Sequence, residues 1–300
     1  MEVALKRALI TGLAGFTGYY LARELEAAGF EVHGIGAGPA PVLNYHQVDL
    51  ADVAGLCTVV EQVQPTVVVH LAAIAFVDHG DAEAFYRVNV VGTRNLLVAL
   101  AVAATGLECV LLVSSANIYG NSTEGVITEA VLPEPANDYA VSKLAMEYMA
   151  RLWLPKLPIV TVRPFNYTGV GQSEQFLLPK IVGHFRRGEK RIELGNLDVW
   201  RDFSDVRAVV AAYCGLIEAK PVGQVFNVCS GQSVSLREVI AIVEKIVGYQ
   251  IEVKVNPAFI RANEVKTLTG SSEHLRSVLP AWQTIPLQQT LSWMLKASQG

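Results

Sequence analysis

Residues 7 to 18 read Arg7-Ala-Leu-Ile-Thr11 and then Gly12-Leu-Ala-Gly15-Phe-Thr-Gly18. The first five residues form a short apolar run of the kind that makes a buried strand. A helical pattern follows through Ala28 and is closed by Gly29, and Phe30 to Ile35 has the pattern of a second strand. A strand, a Gly-rich turn and a helix in this order aim backbone N–H groups from a helix N-terminus at one point, where a pyrophosphate can sit without side-chain charge. Glycine is needed there for reasons of space: one for the tight turn, one for close approach of phosphate, one for packing helix on strand. The Gly-x-x-Gly-x-x-Gly spacing departs by one residue from the commonest dinucleotide fingerprint, so taken alone it fits a dinucleotide site or a plain Gly-rich turn. Its place after the first strand favours the dinucleotide.

The alternation continues outward from this unit. Thr66 to Ala72 is a continuous apolar run suited to a parallel strand buried on both faces, and Ala82 to Ala104 is helical. Cys109 to Ser114 repeats the strand pattern, Tyr139 to Trp153 the helix, and Ile159 to Arg163 the strand. Repeated strand and helix units with right-handed crossovers make an α/β fold, a Rossmann-like doubly wound parallel sheet. Ligands of such sheets sit at the carboxyl ends of the strands, where this chain places Gly12, His70 to Ala73, Ser114-Ser115 and Arg163 to Asn166. After Asn166 the texture changes. Helices are expected around Leu178 to Arg187, Asp205 to Ala219, Leu236 to Val247 and Leu287 to Lys296, with one further strand at Gln224 to Val228. The expected organisation is a dinucleotide-binding domain of residues 1–165 plus about 204–230, and a smaller, interleaved α/β substrate domain of residues 166–203 plus 231–300.

The 300 residues are 51% hydrophobic and 17% charged, which describes a well-buried globular chain and excludes disorder. A net charge of -4 without any run of like charge argues against nucleic acid or an anionic membrane as partner. The four cysteines, Cys57, Cys109, Cys214 and Cys229, are widely spaced in apolar surroundings and suit reduced core thiols better than a disulfide framework or a zinc site. No metal site is expected. Neither a signal-peptide pattern nor an uninterrupted membrane-spanning stretch is present, so the expected location is cytoplasmic.

Asp138-Tyr-Ala-Val-Ser-Lys143 puts Tyr139 and Lys143 on one face of a helix, where the ammonium can favour the phenolate and tune the tyrosine for proton transfer. Alone, the same spacing also describes an exposed amphipathic turn. Together with Thr11 to Gly18, Asp49-Leu50, His70-Leu-Ala-Ala73, Asn89, Ser114-Ser115 with Tyr119-Gly120, and Arg163-Pro-Phe-Asn166, it resembles the extended short-chain dehydrogenase/reductases that act on nucleotide sugars. The resemblance covers most of the chain. It implies that Ser115 hydrogen-bonds a substrate carbonyl, that Tyr139 donates the proton as hydride arrives, that Lys143 bridges the nicotinamide ribose and keeps Tyr139 acidic, and that Asn89 supports the site. Ser115 can equally be read as a strand-end cap, and Asn89 as a residue satisfying helix backbone groups.

The resemblance also implies cofactor contacts from Gly12, Gly15, Phe16, Thr17, Gly18, Asp49, Leu50, Leu71, Ala72 and Ala73, along with Tyr139 and Lys143. Asp49 would meet adenine, although an Asp before a helix is as readily an N-cap. At the end of the second strand, Gly34-Ile-Gly-Ala-Gly-Pro39 has neither the carboxylate that would bind a ribose 2′-hydroxyl nor an arginine for a 2′-phosphate. Lack of a repelling carboxylate favours NADPH; lack of a base leaves NADH open. The family's 4,6-dehydratases carry an Asp-Glu pair directly after the hydroxyl residue, where this chain has Ala116-Asn117, so dehydration is rejected.

The segments Arg163 to Gln172, Asp198 to Phe203, Phe226 to Gly231 and the Arg261/Glu264 pair resemble the family's GDP-6-deoxy-D-mannose reductase branch. That branch implies a GDP-linked 4-keto-6-deoxy sugar as substrate, contacted by Asn166, Arg201, Arg261 and Glu264, since Arg pairs with phosphate and a carboxylate accepts from vicinal hydroxyls. Tyr167, Trp200 and Phe203 could stack on a base or sugar, or belong to the core. The expected reaction is NAD(P)H-dependent reduction to GDP-D-rhamnose. Alternatives are a 4-epimerase holding NAD tightly, or reduction to the C4 epimer GDP-6-deoxy-D-talose. The helices Ala82 to Ala104 and Tyr139 to Trp153 are more apolar than a surface helix needs, which fits burial within the monomer or, as the resemblance implies, a homodimer.

Overall fold

The computed structural model describes residues 6–75, 80–121, 125–259 and 266–297. Its larger sheet runs in the order Tyr45–Gln47, Glu31–Gly36, Arg7–Thr11, Val67–His70, Cys109–Val113, Ile159–Pro164, Val225–Val228, and every pairing is parallel. The strand order reverses between Arg7–Thr11 and Val67–His70, which opens a crevice at the carboxyl ends of these two strands. In this register Thr11 lies beside His70.

Alternation along each strand feeds two cores. Ala8, Ile10, Val67, Val69, Cys109 and Leu111 pack under the helices Phe16–Ala27 and Val206–Ala219. Leu9, Val68, Val110 and Leu112 pack under Val53–Val63, Thr93–Ala103 and Asp138–Arg151 on the other face. Strands buried on both faces can be apolar at every position, which is why they read as unbroken runs; each such side chain contributes about 1.5–3 kcal/mol by leaving water.

Two features differ from the sequence expectation. Tyr45–Gln47 is an edge strand too short and polar to stand out. The single helix expected over Ala82 to Ala104 is divided into Ala82–Tyr86, a π-helical turn Arg87–Gly92, and Thr93–Ala103. The Thr93 hydroxyl donates to the Asn89 carbonyl at 2.7 Å, while the Thr93 amide turns to the Val90 carbonyl. The extra residue of a π turn swings Asn89 inward, where it is 1% exposed.

The second lobe has its own sheet, in which Ser233–Ser235, Trp200–Asp205, Thr267–Gly270 and Val126–Ile127 are neighbours, with Asn166–Thr168 paired to Trp200–Asp205. Val126–Ile127 therefore leaves the first half of the chain to pair with Thr267–Gly270. Helices Leu177–Arg186, Leu236–Val247 and Leu287–Lys296 share the core of this lobe. All four cysteines are free thiols. Among the described residues no helix is long and apolar enough to cross a membrane, and no group of three or more His, Cys, Asp or Glu side chains could hold a metal ion.

Candidate active site

The crevice floor begins at Gly12, whose φ of 76° lies in the left-handed region. A Cβ there would come within 3.0 Å of the Ala72 backbone nitrogen, so the turn can pass the next strand only as glycine. At Gly18 a Cβ would stand 2.3 Å from the Leu13 carbonyl oxygen. Gly15 is the N-cap of Phe16–Ala27 and offers no side chain to its free N–H groups, which leaves them to an anion. These are the spatial demands of a dinucleotide pyrophosphate.

Phe16 and Thr17, in the first turn of that helix, meet the second lobe. The Phe16 ring stacks on Tyr167 with centroids 6.2 Å apart, and the Thr17 hydroxyl lies 2.8 Å from the Tyr167 hydroxyl. Asp49 is not the N-cap of the following helix. Asp52 has that role, accepting from the Gly55 amide, while Asp49 accepts from the Ala51 amide one turn earlier. The Leu50 carbonyl accepts from Asn95, and its side chain lies against Gly92. The Leu71 amide donates to the Thr11 carbonyl and the Ala72 amide to the Thr11 hydroxyl, which brings residues 71–73 beside the Gly-rich turn. At the end of the second strand, residues 34–39 carry no polar side chain: the Gly38 carbonyl accepts from Tyr45 and the Ala37 carbonyl from Gln47.

The helix Asp138–Arg151 starts with Asn137 as N-cap, its side chain accepting from the Ala140 amide, and this places Tyr139 in the first turn. Ser115 follows the strand Cys109–Val113 as N-cap of the 3-10 turn Ala116–Tyr119. Its oxygen accepts from the Asn117 amide at 3.2 Å, and its hydroxyl lies close enough to Tyr139 to favour the phenolate. The reading of Ser115 as a cap is thus realised. The Lys143 ammonium, 4% exposed, donates to the Val113 carbonyl at 2.7 Å.

Burial pushes the Tyr139 phenol up to about 12, with the nearby Ser115 hydroxyl acting in the opposite direction. Burial also brings Lys143 down to about 8, against a smaller opposing pull from the Glu147 carboxylate. The expectation that Lys143 lowers the Tyr139 phenol is therefore corrected: loss of water dominates at both groups, and the ammonium is engaged by a backbone carbonyl. A high phenol pKa keeps Tyr139 protonated at neutral pH, the state a proton donor needs.

Asn89 bridges two elements. Its side-chain oxygen accepts from the Ile74 amide, and its Nδ2 donates to the Ile74 carbonyl and, at 3.0 Å, to Ser142. The Ser142 hydroxyl in turn donates to the Tyr139 carbonyl. Residues with no role read from the sequence surround this core: Thr11, His70, Thr93 and Ser142 on one side, and Tyr119, Glu147 and Asn227 around Arg163 on the other. Glu147 carried a signal, lying four residues beyond Lys143 on the same helical face. Thr11, His70 and Tyr119 lie in quoted motifs, but their mutual partners are far away in sequence and gave no sign of this network.

Asn166 follows the strand Ile159–Pro164, and its Nδ2 is buried with no hydrogen-bond partner among the described residues. Arg201 donates to the carbonyls of Trp200 and Lys266. Of the three aromatics in this region, Phe203 is buried in the second lobe, Tyr167 packs on Phe16, and Trp200 is exposed. Arg261 and Glu264 lie outside the described residues. Ala116 and Asn117 occupy a 3-10 turn directly after Ser115 and bring no carboxyl there.

A parallel sheet with a glycine cradle at its crevice and a serine beside a Tyr-x-x-x-Lys helix defines a dinucleotide-dependent oxidoreductase. The chain belongs to the NAD dependent epimerase/dehydratase family, whose model matches residues 8–229. It is an NAD(P)-dependent oxidoreductase of the extended short-chain dehydrogenase/reductase type. It is 36% identical to GDP-6-deoxy-D-talose 4-dehydrogenase of Aggregatibacter actinomycetemcomitans over 90% of each chain. It is 34% identical to GDP-6-deoxy-D-mannose reductase of Pseudomonas aeruginosa over 97% of this chain and 96% of the other. Among solved structures, RMD from Pseudomonas aeruginosa complexed with NADPH matches with a TM-score of 0.84 and 32% identity, covering 97% of this chain and 96% of that one. A Burkholderia cenocepacia J2315 protein, provisionally called an epimerase, matches with a TM-score of 0.92 and 53% identity over 97% of both chains.

Proposed function

We propose that the chain reduces the 4-keto group of GDP-4-dehydro-6-deoxy-D-mannose to give GDP-D-rhamnose, with NADPH favoured over NADH. The observation that carries this reading is the placement of Ser115 beside the buried Tyr139, followed at once by Ala116-Asn117 in place of acid and base groups. Such a site can protonate a ketone oxygen but has no carboxyl there to eliminate water. The Pseudomonas relative is named for the reductase activity, and a related structure was solved with NADPH. Residues 34–39 put no carboxylate against a 2′-phosphate.

When bound, the nicotinamide supplies a hydride to the carbonyl carbon. Ser115 holds the carbonyl oxygen, Tyr139 delivers its proton to that oxygen, and Lys143 bridges the nicotinamide ribose. Gly12, Gly15, Phe16, Thr17 and Gly18 line the pyrophosphate, with Asp49, Leu50 and residues 71–73 along the remainder of the dinucleotide. Asn166, Arg201, Arg261 and Glu264 hold the sugar nucleotide. The chain works as a homodimer through its apolar helices, on which Val102, Tyr148 and Leu152 are exposed; light scattering at low concentration checks this.

Two other readings have specific support. The Aggregatibacter relative favours the C4 epimer GDP-6-deoxy-D-talose, which differs only in the face of the ketone that meets the hydride. The Burkholderia protein is described only as an epimerase, which supports an epimerase reading without naming C4. Purified protein supplied with the keto sugar should consume NADPH, and analysis of the product at C4 separates the two reductions. Stoichiometric dinucleotide retained through purification, with no net NADPH consumption, would establish the epimerase instead.

A further inference from the structure

His70 ends the strand Val67–His70 and is fully buried, and the reaction just described gives it no task. Its Nδ1 lies 2.7 Å from the Thr11 hydroxyl oxygen and its Nε2 lies 2.8 Å from the Thr93 hydroxyl oxygen. The two ends of this chain of groups settle where every hydrogen goes. At one end the Thr93 hydroxyl donates to the Asn89 carbonyl, which can only accept. Its single hydrogen is thereby committed, so toward His70 it must accept, and Nε2 carries a hydrogen. At the other end the Ala72 amide donates to the Thr11 hydroxyl oxygen, leaving the Thr11 hydrogen for a bare Nδ1. A neutral imidazole satisfies all four contacts, whereas a charged one would leave the Thr11 hydrogen with no acceptor in this chain. Burial, and secondarily the Lys143 charge, hold His70 down at about 3, which keeps the ring neutral.

We propose that His70 is a positioning residue, held as the neutral Nε2–H tautomer, that fixes Asn89 and through it the Tyr139 turn against the Gly-rich dinucleotide turn. The connection is continuous. Thr11 immediately precedes Gly12, and His70 joins Thr11 to Thr93. Thr93 holds the carbonyl of Asn89 in the π turn; the Asn89 amide reaches Ser142, and Ser142 reaches the Tyr139 carbonyl. The relay spans the crevice from the element that cradles the dinucleotide to the one that carries the proton donor. Its length is set by hydrogen bonds of 2.7 to 3.1 Å, each with one direction of donation. Misplacement of reacting groups by about 1 Å can cost about a hundredfold in rate, so such a spacer acts on turnover rather than on dinucleotide affinity. The inference about turnover rests on the reductase reading; the tautomer does not.

The test combines histidine nitrogen NMR with kinetics on the full chain. At pH 7 the wild type should show His70 neutral with its proton on Nε2. Thr93→Val removes the acceptor for that proton and the donor to Asn89; it should abolish the single tautomer and lower kcat about tenfold or more, with the NADPH KM changed less than about twofold. Thr93→Ser keeps both hydrogen-bond functions and should retain the tautomer and kcat within about twofold. A wild-type ring protonated on Nδ1, an unchanged kcat in Thr93→Val, or a Thr93→Ser as impaired as Thr93→Val would each overturn the relay. Should Thr93→Val not fold, the wild-type tautomer and the Thr93→Ser kinetics still decide. Because the histidine signals need no substrate, a wild type that turns over no keto sugar removes the proposed reaction while the tautomer still settles the relay.

Discussion

Two buried polar networks grip the helix Asp138–Arg151, and they are built from opposite materials. Near its N-terminal end the Asn89, Ser142 and His70 connection is neutral throughout. One to two turns further along, Glu147 makes a double hydrogen bond to Arg163 at 3.0 and 2.7 Å, both side chains being almost fully buried. Arg163 also donates to the Tyr119 hydroxyl, which donates to Asn227, so one guanidinium ties the Tyr139 helix to the turn that begins at Ser115. Burial works against the Arg163 charge, but the hydrogen bonds and charge of Glu147 more than offset it and raise its pKa above the ordinary value.

The difference follows from what each region must do. A second cation at His70 would repel Lys143, so the spacer beside the proton donor works with hydrogen bonds alone. The clamp sits where a compensated charge pair can bind the helix to the sheet, and its carboxylate favours the charged form of Lys143. The neutral network should therefore govern rate, and the charged one stability.

The largest effect belongs to the proton donor shared by both. Tyr139→Phe should lower turnover by about a hundredfold to ten-thousandfold while dinucleotide binding, followed by fluorescence, stays nearly intact. Unchanged turnover would remove Tyr139 from the chemistry. Arg163→Met leaves Glu147 buried without its partner and should cost about 3–5 kcal/mol in urea unfolding, with part of the loss recovered by also making Glu147→Leu. A small cost would mean that the clamp holds nothing. Tyr119→Phe deprives Arg163 of an acceptor and Asn227 of a donor and should cost about 1–3 kcal/mol, again by denaturation.

The smallest effect is in pH. Lys143 is lowered from 10.5 to about 8, so its cation is present below that pH and lost above it, whereas Tyr139 keeps its proton to about 12. The kcat/KM for reduction should then fall roughly tenfold for each pH unit above about 8. A profile flat to pH 10 would show that the Lys143 charge is not needed.

Much of the architecture was legible from the chain. Unbroken runs such as residues 67–70 and 109–113 could only be doubly buried strands, and the glycines at 12, 15 and 18 had the order a dinucleotide turn requires. The Ser115, Tyr139 and Lys143 set was legible through the family resemblance of several motifs in order, since the helical period of four alone fits an exposed turn as well. Other features were hidden. The π turn at Arg87–Gly92 depends on the Thr93 hydroxyl and on Leu50 against Gly92, neither of which changes the apolar pattern of the helix. The transfer of Val126–Ile127 to the second lobe depends on a partner strand at Thr267–Gly270.

By itself, then, the sequence determined the parallel sheet and the cradle, because local periodicity and backbone sterics act over a few residues, and its family resemblance singled out Ser115, Tyr139 and Lys143. The tertiary structure alone decided the ionisation of those groups and the hydrogens between them. Burial raises Tyr139 and lowers Lys143 according to how much water the folded chain removes. His70 acquires its tautomer from Thr11 and Thr93, 59 and 23 residues away, whose remaining bonds end on an amide and a carbonyl. Desolvation and long-range hydrogen bonding exist only once the chain has closed on itself.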